Sequence, residues 1–138
     1  MVDADQIEAR LQRLEELLER LQAVREDGEQ AYLEDAQLRA ATERQLQVAI
    51  QVCIDLGAQV VSEQSAPPPS SYSEVFEILG DKGVISVDAG RRLAAAARQR
   101  NLLVHLYIEI DDRAVFASLA YLDDLREFAA AVEGLARG

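Results

Sequence analysis

Ile7, Leu11, Leu14, Leu18 and Leu21 recur at alternating steps of four and three, which lays a narrow apolar stripe along a helix of about three heptads. Such a seam requires a partner helix. In a chain this small the partner is expected within one bundle, with a dimer seam as the alternative. The periodic pattern breaks around "EDGEQ" at Gly28, and a second long helix is predicted to start between Tyr32 and Asp35 and to run to about Val61. Within "LQVAIQVCIDLGAQVV" apolar residues fall on nearly every face, the pattern of a central helix touched from several sides.

"SEQSAPPPSSYSE" follows with three prolines. Proline disfavours helix at its own position and at the one before it, so a loop is expected over roughly Gln64 to Ser71. Ser71 precedes Glu74 by three, a capping-box spacing, and "YSEVFEILGDKG" reads as a short helix stopped near Gly80 or Gly83. A fourth helix is predicted from about Val87 through "AGRRLAAAARQRNLLV", capped by Ser86 or Asp88 and slightly weakened by Gly90. Asp111 or Asp112 caps a last helix, where Val115, Leu119, Leu122, Leu125, Phe128 and Val132 keep the three-or-four spacing to about Gly134. The expectation is an all-α, up-down bundle of about five helices forming one domain over residues 1–138.

The composition agrees. A chain of 138 residues buries one substantial core, and abundant Ala, Leu, Glu and Arg with few aromatics favour helix. The formal net charge is −11, and residues 1–35 hold eleven acids against four arginines. That acidity argues against indiscriminate coating of nucleic acid. Residues 89–108, however, contain Arg91, Arg92, Arg98 and Arg100 and no acid, so a local cationic patch remains available for phosphate. Cys53 has no intramolecular partner and sits in the apolar "IQVCIDL", as expected of a buried thiol in a reducing compartment. The start "MVDADQIEARLQ" lacks the charged and apolar regions of a secretory signal, and no run approaches a membrane span, so a cytoplasmic protein without a membrane contact is expected.

The cationic patch contains "RNLLVHLY", with the only histidine of the chain. A lone His among Leu and Val is more often a hydrogen-bonded core side chain. Here, though, Arg100, Asn101, His105 and Tyr107 bring a permanent cation, an amide, a group titrating near neutral pH and a phenol into eight residues. The segment resembles the R-x4-H-x-Y motif of the HepT-like toxins, members of the HEPN superfamily of small helical bundles. The likeness extends over nearly the whole chain: a long first helix, the apolar "QVAIQVCIDLGAQVV", a proline loop before "SYSEVFEIL", then "GVIS" and "RNLLVHLYIEID" follow in the family's order.

The resemblance implies a toxin component of a toxin–antitoxin system, a metal-independent endoribonuclease needing no cofactor. His105 would be general base or acid, Arg100 would hold the phosphate oxygens, and Asn101 would orient phosphate or His105. It implies a homodimer around the fourth helix, because one imidazole per chain must otherwise serve two proton transfers. It also implies that an MntA-like nucleotidyltransferase antitoxin neutralises the toxin by attaching AMP to Tyr107, by binding it, or by both. At about 100° per residue Asn101 and His105 lie about 40° apart, whereas His105 and Tyr107 differ by about 160°. Either the helix ends or distorts near Leu106, or Tyr107 lies beside the partner's cleft; both leave it partly accessible.

Arg91, Arg92 and Arg98 receive no site role, since an exposed helix face accounts for them as well as RNA or antitoxin contact does. One His and one Cys make no zinc cluster, and no phosphate loop, dinucleotide turn or strained serine nucleophile is visible. The other readings are a non-catalytic HEPN nucleotide- or protein-binding adaptor and a purely structural bundle.

Overall fold

The computed structural model describes residues 4–64, 67–105 and 111–137, with side chains throughout except at 100–105. Among these residues there are seven α-helices, one 3₁₀ turn and no strand: α1 Ala4–Asp27, α2 Glu29–Glu34, α3 Ala36–Glu63, α4 Tyr72–Asp81, α5 Val87–His105, α6 Asp112–Ala117, the turn Ser118–Tyr121 and α7 Leu122–Arg137. The all-α expectation holds. No described helix is long and apolar enough to cross a membrane.

Two departures from a count of five have local causes. Gly28 adopts φ 93°, a left-handed conformation that glycine tolerates, and ends α1. The chain then forms the short α2 before Asp35, whose side chain accepts a 3.0 Å hydrogen bond from the Leu38 amide and starts α3. Six residues carry too little periodicity to be read in advance. What holds α2 is the buried Tyr32, whose ring lies 5.5 Å from that of Phe116. The second departure divides the predicted last helix. Buried Ser118 donates to the Ala114 carbonyl at 2.9 Å and receives the Gln99 side-chain amide, and the chain tightens there into the 3₁₀ turn.

The other caps resolve the alternatives. Ser71 accepts from the Glu74 amide at 3.3 Å, while Glu74 reaches back to the amide and hydroxyl of Ser70 rather than of Ser71. Those bonds hold the Glu74 carboxyl below its ordinary range. Ser86, not Asp88, caps α5 by accepting from the Ala89 amide at 3.1 Å. Asp111 caps α6 by accepting from the amides of Arg113 and Ala114.

α3 is the central helix, with Leu46, Ala49, Ile50, Cys53, Ile54, Leu56, Val60 and Val61 buried. α1 lays its stripe against α3 and α7, and Leu14 and Leu21 are fully enclosed. The seam is therefore satisfied within the bundle. Burial pushes the Cys53 thiol well above its usual range, which keeps it a neutral packing group.

α4 and α5 share the most extensive contact of any two described helices. A Cβ on Gly90 would lie 2.8 Å from the Phe76 carbonyl oxygen and 3.3 Å from the Gly80 Cα. Gly90 is thus required where backbone meets backbone, which outweighs its weak helix propensity. Gly90→Ala is expected to lower the unfolding free energy by about 1–3 kcal/mol through overpacking. Gly134→Ala, where a Cβ meets nothing within 4 Å, should raise it by roughly 0.4–1 kcal/mol. Urea unfolding of both variants checks this, and equal effects would contradict the close approach of α4 to α5.

Candidate active site

α5 carries the candidate chemistry at its C-terminal end and is fixed first at its start. Ser86, which caps it, donates its amide and hydroxyl to Glu127 of α7, each at 3.2 Å. Leu93, Ala94, Ala96 and Ala97 are buried along its inner side. The three alanines let the neighbouring helices approach, and the opposite side of α5 faces solvent.

The arginines of α5 divide by their partners. Arg92 makes a two-pronged contact with Asp124 of α7, both bonds 2.9 Å, and the Asp124 side chain is only 10% exposed. This fork is a structural clamp, since removing the guanidinium would strand a nearly buried carboxylate. Arg98 faces Glu77 of α4 at 3.6 Å, with both side chains more than half exposed. Arg91 is exposed and has no ion-pair partner among the described residues. It shares a shallow depression of about 280 Å³ with Glu77, Gly80, Asp81 and Val87.

The predicted residues Arg100, Asn101 and His105 have their backbone on the last turns of α5. Their side chains lie outside the described residues, and so does all of Tyr107, together with the expectation that it is accessible. Arg100 precedes His105 by five positions, which corresponds to a rise of about 7.5 Å along the helix. Asn101 and His105 are one turn apart, the relation of neighbours on a helix surface.

Both flanks of this segment are anchored to the bundle. On the near side Gln99 is tied to Ser118 in the 3₁₀ turn. On the far side Asp112 pairs with Arg39 of α3 at 3.4 Å, and Arg113 pairs with Glu29 of α2 at 3.1 Å. Arg39 also donates to the Leu33 carbonyl. Around Arg39 the balance is acidic: burial raises the Glu43 carboxyl above its ordinary value, Asp112 raises it further and Arg39 opposes both. Burial, then Glu43 and Asp112, push the Tyr32 phenol up to about 12. At that value the Tyr32 phenol stays protonated and supplies no nucleophile at neutral pH.

Gln99, Ser118, Arg39 and Asp124 are not singled out by the sequence, and Asp112 only as a possible helix cap. Their partners lie from 19 to 73 positions away, at separations no local pattern reports. Two other surface grooves, about 380 and 480 Å³, run along α1 beside α7, and Glu8, Glu15, Glu19, Glu26 and Glu133 lie in their walls. No residue of α5 lines them, and their charge opposes a phosphate ligand.

Comparison with known proteins gives a consistent answer. The family model described as Ribonuclease HepT-like matches residues 8–132. The tRNA nuclease HepT of Aphanizomenon flos-aquae is 28% identical over 115 residues, 83% of this chain and 78% of that protein. The mRNA nuclease HepT of Shewanella oneidensis is 28% identical over 112 residues, 80% of this chain and 84% of that one. The fold matches that of the tri-AMPylated Shewanella oneidensis HEPN toxin solved in complex with an MNT antitoxin, with TM-score 0.83 at 24% identity, covering 97% of this chain and 99% of that one. It also matches YutE of Bacillus subtilis, a cytosolic protein of unknown function, with TM-score 0.82 at 23% identity over 97% and 90% of the two chains. The match of the family model to all but the ends of the chain places this protein in the HepT-like ribonuclease family.

Proposed function

We propose that the chain is an endoribonuclease toxin whose cutting group is Arg100, Asn101 and His105, and whose activity is turned off by adenylylation of Tyr107. The observation that carries this reading is the family match together with the motif it contains. The family match spans residues 8–132, and inside it "RNLLVHLY" holds a cation, an amide, an imidazole and a phenol, the first three with their backbone on the last turns of α5. The nuclease names of the two relatives support RNA as the substrate.

The chemistry needs only these groups. An imidazole removes the proton of an RNA 2'-hydroxyl, whose oxygen attacks the adjacent phosphorus. The bond from phosphorus to the 5'-oxygen breaks, and that oxygen takes a proton. A 2',3'-cyclic phosphate and a free 5'-hydroxyl result. The guanidinium of Arg100 stabilises the negative oxygens of the crowded phosphorus. Base and acid are both required, so two copies of the chain are proposed to form one composite cleft in a homodimer, each giving an imidazole. Because AMP carries its own phosphate, its transfer to Tyr107 would place an anion near Arg100 and repel RNA. In that transfer the Tyr107 hydroxyl attacks the α-phosphorus of ATP and pyrophosphate leaves. The antitoxin complex of the Shewanella relative supports an MntA-like nucleotidyltransferase as the partner, and an RNA substrate with ATP as the AMP donor favours a cytoplasmic location.

Purified, unmodified protein incubated with RNA in chelator is expected to cleave it. His105→Ala and Arg100→Ala variants that keep the wild-type melting transition should lose at least about 100-fold in rate. Intact RNA with unmodified wild-type protein would remove the nuclease reading. Incubation with the cognate nucleotidyltransferase and ATP should add whole adenylate units to the intact mass. Their persistence in Tyr107→Phe would exclude Tyr107 as the sole acceptor.

A further inference from the structure

We infer that Arg91 and Arg98 form a phosphate-binding track that leads RNA along the exposed side of α5 toward the cleavage segment. The inference rests on the ribonuclease reading and assigns two residues to substrate binding beyond the R-x4-H-x-Y motif.

Register supplies the first argument. Arg91, Arg98 and His105 are spaced by seven, and seven residues of α-helix return to within about 20° of the starting direction with a rise of about 10.5 Å. The described helix is unbroken from Val87 to His105, so the Cα positions of these three residues fall in one row along it. Arg92, one position from Arg91, points elsewhere and is committed to Asp124. Of the arginines on α5 with described side chains, Arg91 and Arg98 are therefore the two that lack a strong partner.

Availability supplies the second. Both side chains are exposed, and Arg91 has no ion pair among the described residues. The pair between Arg98 and Glu77 joins two side chains that are 59% and 51% exposed at 3.6 Å, the kind of contact that contributes little to stability. A phosphate brings a full negative charge and several acceptor oxygens, so it displaces Glu77 at small cost. Glu77 and Asp81 border the track. Their charge weakens loose binding of any polyanion and makes occupancy depend on a strand that continues to His105.

The alternative is that Arg91 and Arg98 are ordinary solvated arginines, and the salt dependence of binding separates the two. An RNA oligonucleotide is titrated with full-length His105→Ala protein, which binds without cutting, over a range of salt concentrations. Each lost phosphate contact should reduce the slope of log affinity against log salt by about 0.7. Arg91→Gln and Arg98→Gln are each expected to weaken binding about 3- to 10-fold and to lower the slope accordingly. In the active protein the same changes should raise KM and leave kcat within about twofold. Glu77→Gln should tighten binding about twofold, an effect opposite to that of losing a stabilising contact. Arg92→Gln should lower the melting temperature and leave the slope unchanged.

Wild-type protein that cleaves RNA, with Arg91→Gln and Arg98→Gln retaining the wild-type slope and KM, would overturn the track and leave the nuclease reading intact. Protein that neither binds nor cuts RNA would overturn both.

Discussion

The small-residue side of α5 is the constraint on which the rest of the structure depends. Ala89, Ala94, Ala96 and Ala97 are almost fully buried, and Gly90 lies against the backbone of α4. Small side chains permit this approach at the cost of some apolar area per residue. Larger groups on α3, α4 and α7 fill the remainder, including Phe76 and Phe128, whose rings meet edge to face at 5.8 Å. With one side held so tightly, the direction of α5 is set by packing over its first three turns. Its last turns then carry the backbone of Arg100, Asn101 and His105. The polar clamps work on the same element from outside: Glu127 holds Ser86, Asp124 holds Arg92, and Ser118 holds Gln99.

Much of this was legible in the sequence because helix periodicity is a local signal. The stripe on α1, the all-round apolar pattern of α3, the serine that caps α4 and the length of α5 each follow from residues within a few turns of one another. The short α2 was not legible, since six residues hold no repeat and the burial of Tyr32 depends on Phe116, 84 positions later. The 3₁₀ turn was hidden for a related reason. Val115, Leu119 and Leu122 keep helical spacing through it, and only Gln99 meeting Ser118 distinguishes a tightened turn from a continuous helix. Gly90 was read as a weak point of its helix, because its value lies in a neighbour that periodicity does not reveal.

The candidate site divides along the same line. The motif residues could be named because four polar groups among leucines call for an explanation and "RNLLVHLY" resembles the R-x4-H-x-Y motif. The contacts on either flank, Gln99 with Ser118 and Arg39 with Asp112, could not be named, since each residue looks like an ordinary surface, helix or cap residue until its partner is known. The three unassigned arginines show the contrast most plainly. In sequence they are equivalent, and in structure Arg92 is bound into the fold while Arg91 and Arg98 are exposed to solvent.

An acidic protein that acts on a polyanion must confine its attraction to a small area. The acids concentrate on α1 and along its grooves beside α7, whereas residues 89–108 carry arginines and no acid. That separation leaves Arg91 and Arg98 exposed on α5, away from the acidic grooves. Analysis of the new RNA ends tests the central claim most directly. If an imidazole activates the 2'-hydroxyl, cleavage in chelator leaves a 2',3'-cyclic phosphate on one fragment and a 5'-hydroxyl on the other. Ends bearing a 5'-phosphate and a 3'-hydroxyl would contradict the account, because the 2'-oxygen would then not have been the nucleophile.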